Sequence, residues 1–121
     1  MPYIEVKTTK KMSLEEKSVL SERLADAFAA ASSSAVAKNI QMVIEDECWI
    51  CFRGDTENGS AHVQVCPGPL TPQEDYVKII ESFFPVLVEE LGIGKEYIYI
   101  NVLELEHWGF DGNMVIVEKN R

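Results

Sequence analysis

The residue with the most distinctive chemistry in this chain is Pro2, which follows the initiator Met1. An initiator methionine before a small residue is usually removed, and its removal would leave the Pro2 nitrogen as a secondary amine. A solvated α-amino group titrates at about pH 8. Apolar surroundings or nearby cations disfavour the charged form and lower its pKa. Such an amine is a neutral base that can move protons on and off carbon. The alternative is an ordinary proline, since short motifs often match by chance.

The cysteines offer a second chemistry, but their spacing argues against it. Cys48 and Cys51 form a C-x-x-C motif. Redox motifs of this kind open helices, where the helix N-terminus lowers the thiol pKa. This pair lies in a strand-like run, in which residues three apart point to opposite faces, so we expect core or interface thiols. With Cys66 the cysteine count is odd and no secretory signal is seen, which favours reduced thiols in a cytoplasmic protein.

The remaining residue types indicate neither a metal site nor a cofactor. His62 and His107 are far apart in the sequence and lack the spacing of metal ligands. We expect His62 on a sheet surface, whereas His107 is a candidate for lining a pocket beside Trp108.

Length and charge limit the possible partners. The chain has 121 residues, 46% of them hydrophobic and 26% charged, which is ordinary for one soluble globular domain. A net charge of −9 disfavours binding to nucleic acid or to anionic membranes. No apolar run approaches the roughly 20 residues that span a bilayer.

A strand must position Pro2, and the first eight residues predict one. Ile4 and Val6 share one face of it and alternate with polar neighbours. A helix then begins at a capping box, in which Ser13 serves the amide of Glu16 and the Glu16 carboxylate reaches back. Its apolar stripe has helical spacing and consists of Leu20, Leu24, Ala27, Phe28 and Ala31.

The middle of the chain predicts two further strands, over residues 39–45 and 61–66. A turn is predicted between them over residues 53–59, with Asn58-Gly59 as its strongest signal.

The second half of the chain repeats the order of capped helix and strand. Thr71 and Glu74 predict another capping box, with Pro72 in the first helical position. Gly92 ends this helix, and Pro85 within it predicts a kink. Its apolar stripe consists of Ile80, Phe84, Leu87 and Leu91. The elements predicted after it are a strand over 97–105, a turn over 108–112 and a short strand over 114–117.

Strand, capped helix and strand thus occur twice, in residues 1–46 and 60–105, and residues 106–121 form a C-terminal turn and short strand. This order predicts one domain over residues 1–121, of the α+β class with two layers. A duplicated β-α-β unit builds a four-stranded mixed sheet with both helices on one face. The opposite face is bare but not uniformly polar. A second copy of the same sheet could bury this face, so we expect a closed homo-oligomer.

Three segments carry a family resemblance. They are Met1-Pro2, the stretch from Phe52-x-Gly54 to Gly68, and Tyr99-Ile100-Asn101 followed by Trp108. With the duplicated β-α-β unit, they make the chain similar to the tautomerase superfamily. The chain most resembles the branch of macrophage migration inhibitory factor (MIF) and phenylpyruvate tautomerase.

The resemblance implies a homotrimer with active sites at the subunit boundaries. Pro2 would be the general base, and Tyr99 and Asn101 would come from the neighbouring subunit. The residues of the apolar pocket would be Pro67, Trp108 and Phe110. The implied reaction is keto–enol tautomerisation of a small 2-keto acid such as phenylpyruvate, without a cofactor.

The cation that holds the substrate carboxylate is left open by the resemblance. Members of this branch place a lysine before the second strand, where a gap-free alignment puts Ala35, and Lys38 follows three residues later. The other candidates are Lys10, Lys11 and Arg53. The lysine missing at Ala35 and an acidic cluster near the expected pocket entrance favour an alternative, a catalytically weak trimeric binding or signalling protein. The cluster consists of Glu104, Glu106 and Asp111.

Overall fold

Two β-α-β units share one sheet in the computed structural model, which describes residues 2–32, 39–69 and 71–115. The strands of this sheet are β1 (Tyr3–Thr8), β2 (Gln41–Glu45), β3 (Ala61–Cys66) and β4 (Ile98–Val102). The helices are α1 (Leu14–Ala31) and α2 (Gln73–Leu91), and a 3₁₀ turn (Lys95–Tyr97) precedes β4. The strand order is β2-β1-β3-β4. Strands β1 and β2 are parallel, as are β3 and β4, whereas β1 and β3 are antiparallel.

One hydrophobic core lies between the sheet and both helices. Ile4 and Val6 of β1 are fully buried in it, as the alternation predicts. The core side chains of the other elements include Leu20, Leu24, Phe28, Val63, Val65, Ile79, Phe83, Leu87 and Ile98. Because both helices contribute to the same core, they cover the same face of the sheet. The α+β architecture expected from the sequence is therefore confirmed, whereas the trimer stays a prediction.

Helix α1 begins at the predicted capping box. The Ser13 hydroxyl accepts a hydrogen bond of 3.1 Å from the Glu16 amide, and the Glu16 carboxylate accepts one of 3.0 Å from the Ser13 amide. The helix ends at Ser32, whose amide donates to the Phe28 carbonyl. Two otherwise orphaned amides are satisfied at the start, which stabilises an 18-residue helix.

Replacing Ser13 with alanine is expected to lower the free energy of unfolding by about 1 kcal/mol, because the cap hydrogen bond is lost. Urea unfolding followed by circular dichroism measures the change. Ser18→Ala is the matched control, since Ser18 is exposed within the same helix. An equal loss in both variants would contradict a capping role for Ser13.

Helix α2 departs from the prediction at its start. Pro72 is the N-cap and makes no side-chain cap hydrogen bond. The Thr71 hydroxyl donates instead to the Gly68 carbonyl over 2.6 Å, so the predicted second capping box is wrong. The helix continues through the exposed Pro85 and ends at Gly92, which has a φ of 64°. A left-handed residue at this position is a common helix terminator.

The buried face of α2 is also rotated relative to the predicted stripe. Ile79 and Phe83 are fully buried, whereas Ile80 and Phe84 are only partly so. Isoleucine and phenylalanine occur four residues apart at both 79 and 83 and at 80 and 84, so helical periodicity alone does not show which pair is buried. Packing against the sheet decides: Ile79 and Phe83 lie fully inside the core, whereas Phe84 is only partly buried against it.

The turn between β2 and β3 lies within the predicted residues 53–59, at their start rather than at Asn58-Gly59. Phe52 and Asp55 exchange two backbone hydrogen bonds of 2.9 Å. Arg53 and Gly54 form the turn with φ angles of 56° and 74°. Positive φ at both central residues is typical of a two-residue hairpin turn.

The C-terminal part of the described chain forms a small separate hairpin. Its strands are β5 (Gly109–Phe110) and β6 (Asn113–Met114). Strand β4 ends at Val102, so the strand predicted over 97–105 is shorter than expected. Residues 116 and 117 of the predicted final strand lie outside the described residues. In the described part of the chain, no helix has the length and apolar character needed to cross a membrane.

Candidate functional site

The start of β1 and the end of β3 bring two of the predicted site residues to one end of the sheet. Tyr3 pairs with Cys66 in the antiparallel register, so the adjoining residues Pro2 and Pro67 lie at the same end. Both prolines are buried. The Pro2 carbonyl accepts a hydrogen bond of 3.0 Å from the Gln41 amide, which ties the chain start to β2. Pro2, the predicted base, is therefore a buried residue next to a strand end.

The predicted partners Tyr99 and Asn101 lie away from Pro2 within the chain. Tyr99 pairs with His62, and His62 pairs with Lys7, five residues from Pro2. At about 3.3 Å per residue, Tyr99 is displaced by roughly 16 Å along the strand direction, and by two further strand spacings across the sheet. Tyr99 and Pro2 of one chain therefore cannot contact one small substrate.

Tyr99 and Asn101 nevertheless share the open face of the sheet, as the alternation of β4 predicts. The Tyr99 side chain is 63% exposed. The Asn101 amide group contacts the His62 ring and donates to the Gln64 side chain over 3.5 Å. His62 is exposed on the sheet surface, as expected. The open face therefore displays hydrogen-bonding groups along β4, from Asn101, which is level with Glu5 of β1, to Tyr99, which is level with Lys7.

A second polar group on the open face runs along β1 and begins at Tyr3, next to Pro2. The Tyr3 hydroxyl donates a hydrogen bond of 2.9 Å to Glu5, and the Lys7 ammonium lies 3.5 Å from the same carboxylate. The hydrogen bond to Glu5 and burial raise the pKa of the Tyr3 hydroxyl. Burial also raises the pKa of the Cys66 thiol, since it disfavours the thiolate. Tyr3 and Cys66 are therefore neutral at neutral pH.

Trp108 and Phe110 lie on the segment that leaves the sheet at the Pro2 end. Strand β4 runs beside β3 as far as Val65, whose carbonyl accepts a hydrogen bond of 2.9 Å from the Leu103 amide. The Trp108 indole donates to the Leu105 carbonyl over 2.9 Å. Phe110 is 56% exposed. The chain alone therefore leaves the predicted wall residue Phe110 largely uncovered.

Two of the candidate cations are placed by the structure at the far end of β1. Lys10 donates to the Glu90 carbonyl of α2 over 2.9 Å and lies 3.2 Å from the Glu16 carboxylate of α1. Its ammonium therefore points into the helix layer, away from the open sheet face. Lys11 is exposed beside it, and Lys38 lies outside the described residues.

Arg53, the remaining candidate cation, belongs to an aromatic cluster around Tyr99. The Arg53 guanidinium carbon lies 4.9 Å from the centroid of the Phe52 ring. The Phe52 ring meets Tyr99 edge-to-face at 5.0 Å and Tyr97 at 5.9 Å. Sequence reasoning missed this cluster because Phe52 and Tyr99 are brought together by the turn after β2. The spacing of residues so far apart in the sequence carries no sign of that contact.

The cysteines show no arrangement that suggests redox chemistry. All three are unpaired. Cys66 is buried, Cys48 is half-buried and Cys51 is exposed. Of the two expected settings, core or interface, only the interface is left for Cys51, and it stays a prediction. In residues 2–32, 39–69 and 71–115, no group of three or more His, Cys, Asp or Glu side chains is placed to hold a metal ion.

Comparison with known proteins relates this fold to others. No protein-family model matches the sequence, and no curated protein matches it. Among solved structures, MIF2 of Leishmania major is similar, with a TM-score of 0.87 and 18% identity over 95% of this chain and 97% of that chain.

Two further solved structures extend the likeness to other tautomerase-superfamily proteins. Pt0534, in a structure described as inactivated by 2-oxo-3-pentynoate, has a TM-score of 0.80 and 18% identity over 92% of this chain and 93% of that chain. A fused 4-OT, described as an asymmetric trimer, has a TM-score of 0.77 and 14% identity over 91% and 93% of the two chains. The structural neighbours of this protein are therefore MIF, MIF-like and tautomerase-superfamily proteins, and it has their fold.

Proposed function

We propose that this protein is a keto–enol tautomerase that acts on a small 2-keto acid of the phenylpyruvate type, with the Pro2 amine as general base. The observation that carries the proposal is the burial of Pro2 at a strand end, beside the buried Pro67. Desolvation of a secondary amine lowers its pKa and enlarges its neutral fraction at neutral pH. The likeness to Pt0534, inactivated by a 2-oxo acid, supports this substrate class.

The proposed reaction needs one group that accepts and returns a proton. The neutral Pro2 nitrogen removes a proton from the carbon next to the keto group, and the electron pair moves to the carbonyl oxygen. The protonated amine then gives the proton to that oxygen, which yields the enol and restores the base. The reverse sequence converts enol to keto acid. Atoms and charge balance without a cofactor.

The proposed site spans two subunits. Since Tyr99 and Pro2 of one chain are too far apart, Tyr99 and Asn101 act on the Pro2 of a neighbouring copy. The Tyr99 hydroxyl and the Asn101 amide are hydrogen-bond donors, which suit the oxygen that gains charge as the enolate forms. Trp108 and Phe110 complete the apolar wall.

A closed homotrimer supplies this arrangement, and the exposed apolar residues at the end of the described chain support it. These residues are Leu103, Leu105, Phe110 and Met114. Head-to-tail contacts that close into a ring bury such a surface on every copy. The likeness to a trimeric fused 4-OT is consistent with this assembly. The three unpaired cysteines fit a reducing, cytoplasmic setting.

A second candidate function is a trimeric binding or signalling protein with little catalysis. The observation that favours it is the engagement of Lys10 with Glu16 and Glu90, which removes one possible carboxylate anchor. This candidate predicts a trimer that does not turn over small keto acids, and efficient turnover would exclude it.

Covalent labelling tests the proposed base directly. The purified protein is expected to convert the enol of phenylpyruvate to the keto form, and to lose this activity with 2-oxo-3-pentynoate. The amine adds to the triple bond: a nitrogen–carbon bond forms, the amine proton moves to the neighbouring carbon, and no group leaves. The intact mass is expected to show that Met1 is absent from the protein. Peptide mass spectrometry is expected to place the adduct on Pro2.

Cys51→Ser is the control for labelling of an exposed thiol. This variant is expected to be active and to be inactivated at the wild-type rate. An adduct on a cysteine with Pro2 unmodified, or turnover by a protein that retains Met1, would contradict the proposal.

A further inference from the structure

We propose that Arg53 binds the substrate carboxylate and that it reaches the site together with Tyr99, from the subunit next to the one that supplies Pro2. This inference rests on the proposed function and names the carboxylate anchor of that site. It assigns the role to a turn after β2 rather than to a lysine before that strand.

The hydrogen bonds of the turn fix the position of the Arg53 backbone. The paired hydrogen bonds between Phe52 and Asp55 close a two-residue turn. Asp55 also accepts hydrogen bonds from the amides of Glu57 and Asn58, at 2.8 and 3.1 Å. These contacts hold the segment on both sides of Arg53. A long side chain that starts from a fixed backbone loses less conformational freedom when it binds a ligand.

Contacts of the side chains connect Arg53 to Tyr99. The Arg53 guanidinium lies over the Phe52 ring, and the Phe52 ring in turn contacts Tyr99 edge-to-face. The two measured distances place the guanidinium carbon within about 10 Å of the Tyr99 ring centroid. Any interface that brings Tyr99 to the Pro2 of a neighbour therefore brings Arg53 close to the same site.

The charge of Arg53 is available, in contrast to that of several other cations. Lys7, Lys10, Lys17 and Arg23 all lie within ion-pair distance of carboxylates. Within the part of the chain that the structure describes, Arg53 has no such ion pair. A cation–π contact does not use the N–H donors of a guanidinium as an ion pair does, and an arginine binds a carboxylate through two parallel hydrogen bonds.

Substitution of Arg53 separates binding of the acid from the chemical step. Arg53→Gln is expected to raise KM for phenylpyruvate by about tenfold to a hundredfold with kcat changed by less than about threefold, because the lost contact acts on a carboxylate that does not react. The methyl ester of phenylpyruvate lacks that charge, and its kcat/KM is expected to be unchanged. Arg53→Lys is expected to be intermediate, since a lysine keeps the charge but not the fork.

Arg23→Gln is the matched control, since Arg23 is a partly exposed arginine paired with Glu89 and Glu90 of α2. It is expected to leave KM for both substrates unchanged. Circular dichroism and sedimentation are expected to show that all variants keep the fold and assembly of the wild type.

Mixed assemblies test whether Arg53 acts on a neighbour. Trimers assembled from equal amounts of a Pro2→Gly chain and an Arg53→Gln chain are expected to regain wild-type KM at about a quarter of their sites, since each boundary draws its two sides from different chains. If Arg53 served the Pro2 of its own chain, no mixed site would be intact and nothing would be regained.

The outcomes distinguish failure of the proposed tautomerase function from failure of the role assigned to Arg53. A wild-type protein that turns over neither acid nor ester overturns the proposed function, and the role of Arg53 with it. An active wild type whose KM is unchanged by Arg53→Gln overturns only the assignment of Arg53. A raised KM without recovery in mixed trimers overturns delivery from the neighbouring subunit.

Discussion

Insertion of one alanine between Met1 and Pro2 is expected to lower kcat/KM for phenylpyruvate by about 10²–10⁴-fold, the usual contribution of a general base. After removal of Met1, the inserted alanine carries the terminal amine and the Pro2 nitrogen becomes an amide, which has no basic lone pair. Every side chain of the proposed site is retained. The change therefore removes the base while it leaves the surrounding residues in the sequence.

Pro2→Gly is expected to fall between this variant and the wild type. Glycine keeps a terminal amine, but a primary amine without the ring is freer to rotate towards water, where its charged form is favoured. Its neutral fraction at neutral pH is then smaller than that of a buried proline amine. Steady-state kinetics of the enol-to-keto conversion measure both effects.

Pro85→Ala is a suitable control for loss of a proline, because Pro85 is exposed within α2. It is expected to keep wild-type kinetics. Wild-type kcat/KM in the alanine-insertion variant, with intact mass confirming the blocked nitrogen, would show that Pro2 is not the base.

Most of the fold could be predicted from the sequence because its signals are local. The alternation of Ile4 and Val6 with polar residues identified the buried face of β1. The capping box at Ser13 marked the start of α1, and Gly92 marked the end of α2. Each of these signals depends on contacts within a few residues. The pairing of parallel strands then follows from the crossover helices, which leave few other arrangements.

The candidate site could be predicted only in part, because its residues do not meet within one chain. Pro2 and Pro67 come together through the antiparallel register of β1 and β3. The exposed Tyr99, by contrast, is about five residues farther along the sheet. Its proposed role depends on a second copy, and intrachain periodicity contains no information on such a contact. The family resemblance, not the pattern, supplied that expectation.

The position of Arg53 shows the same limit for a turn. Asn58-Gly59 has the strongest turn composition, yet the tight turn forms at Arg53-Gly54. An arginine with positive φ is uncommon, so local preference alone would not place it there. The Phe52 ring, which precedes the turn, packs against Tyr97 and Tyr99. The composition of residues 53–59 thus predicted a turn in this segment but not the two residues at which it forms, and a distant contact such as this one cannot be seen in local composition.

Phe83→Ala is expected to destabilise the protein by about 3–5 kcal/mol, the usual cost of removing a fully buried phenylalanine side chain. Phe83 has no exposed surface and lies in the core between α2 and the sheet. The lost ring leaves a cavity whose walls lose their contacts, and neighbouring side chains refill it only partly. Urea unfolding at a fixed protein concentration measures the change, since an oligomer's stability depends on concentration.

Phe84→Ala is the matched comparison, because the two residues are adjacent on α2 and of the same type. The apolar stripe in the sequence assigned the core position to Phe84, whereas the structure buries Phe83 and leaves Phe84 partly exposed. Phe84→Ala is therefore expected to cost clearly less than Phe83→Ala. A larger loss for Phe84→Ala would mean that α2 presents the other face to the sheet.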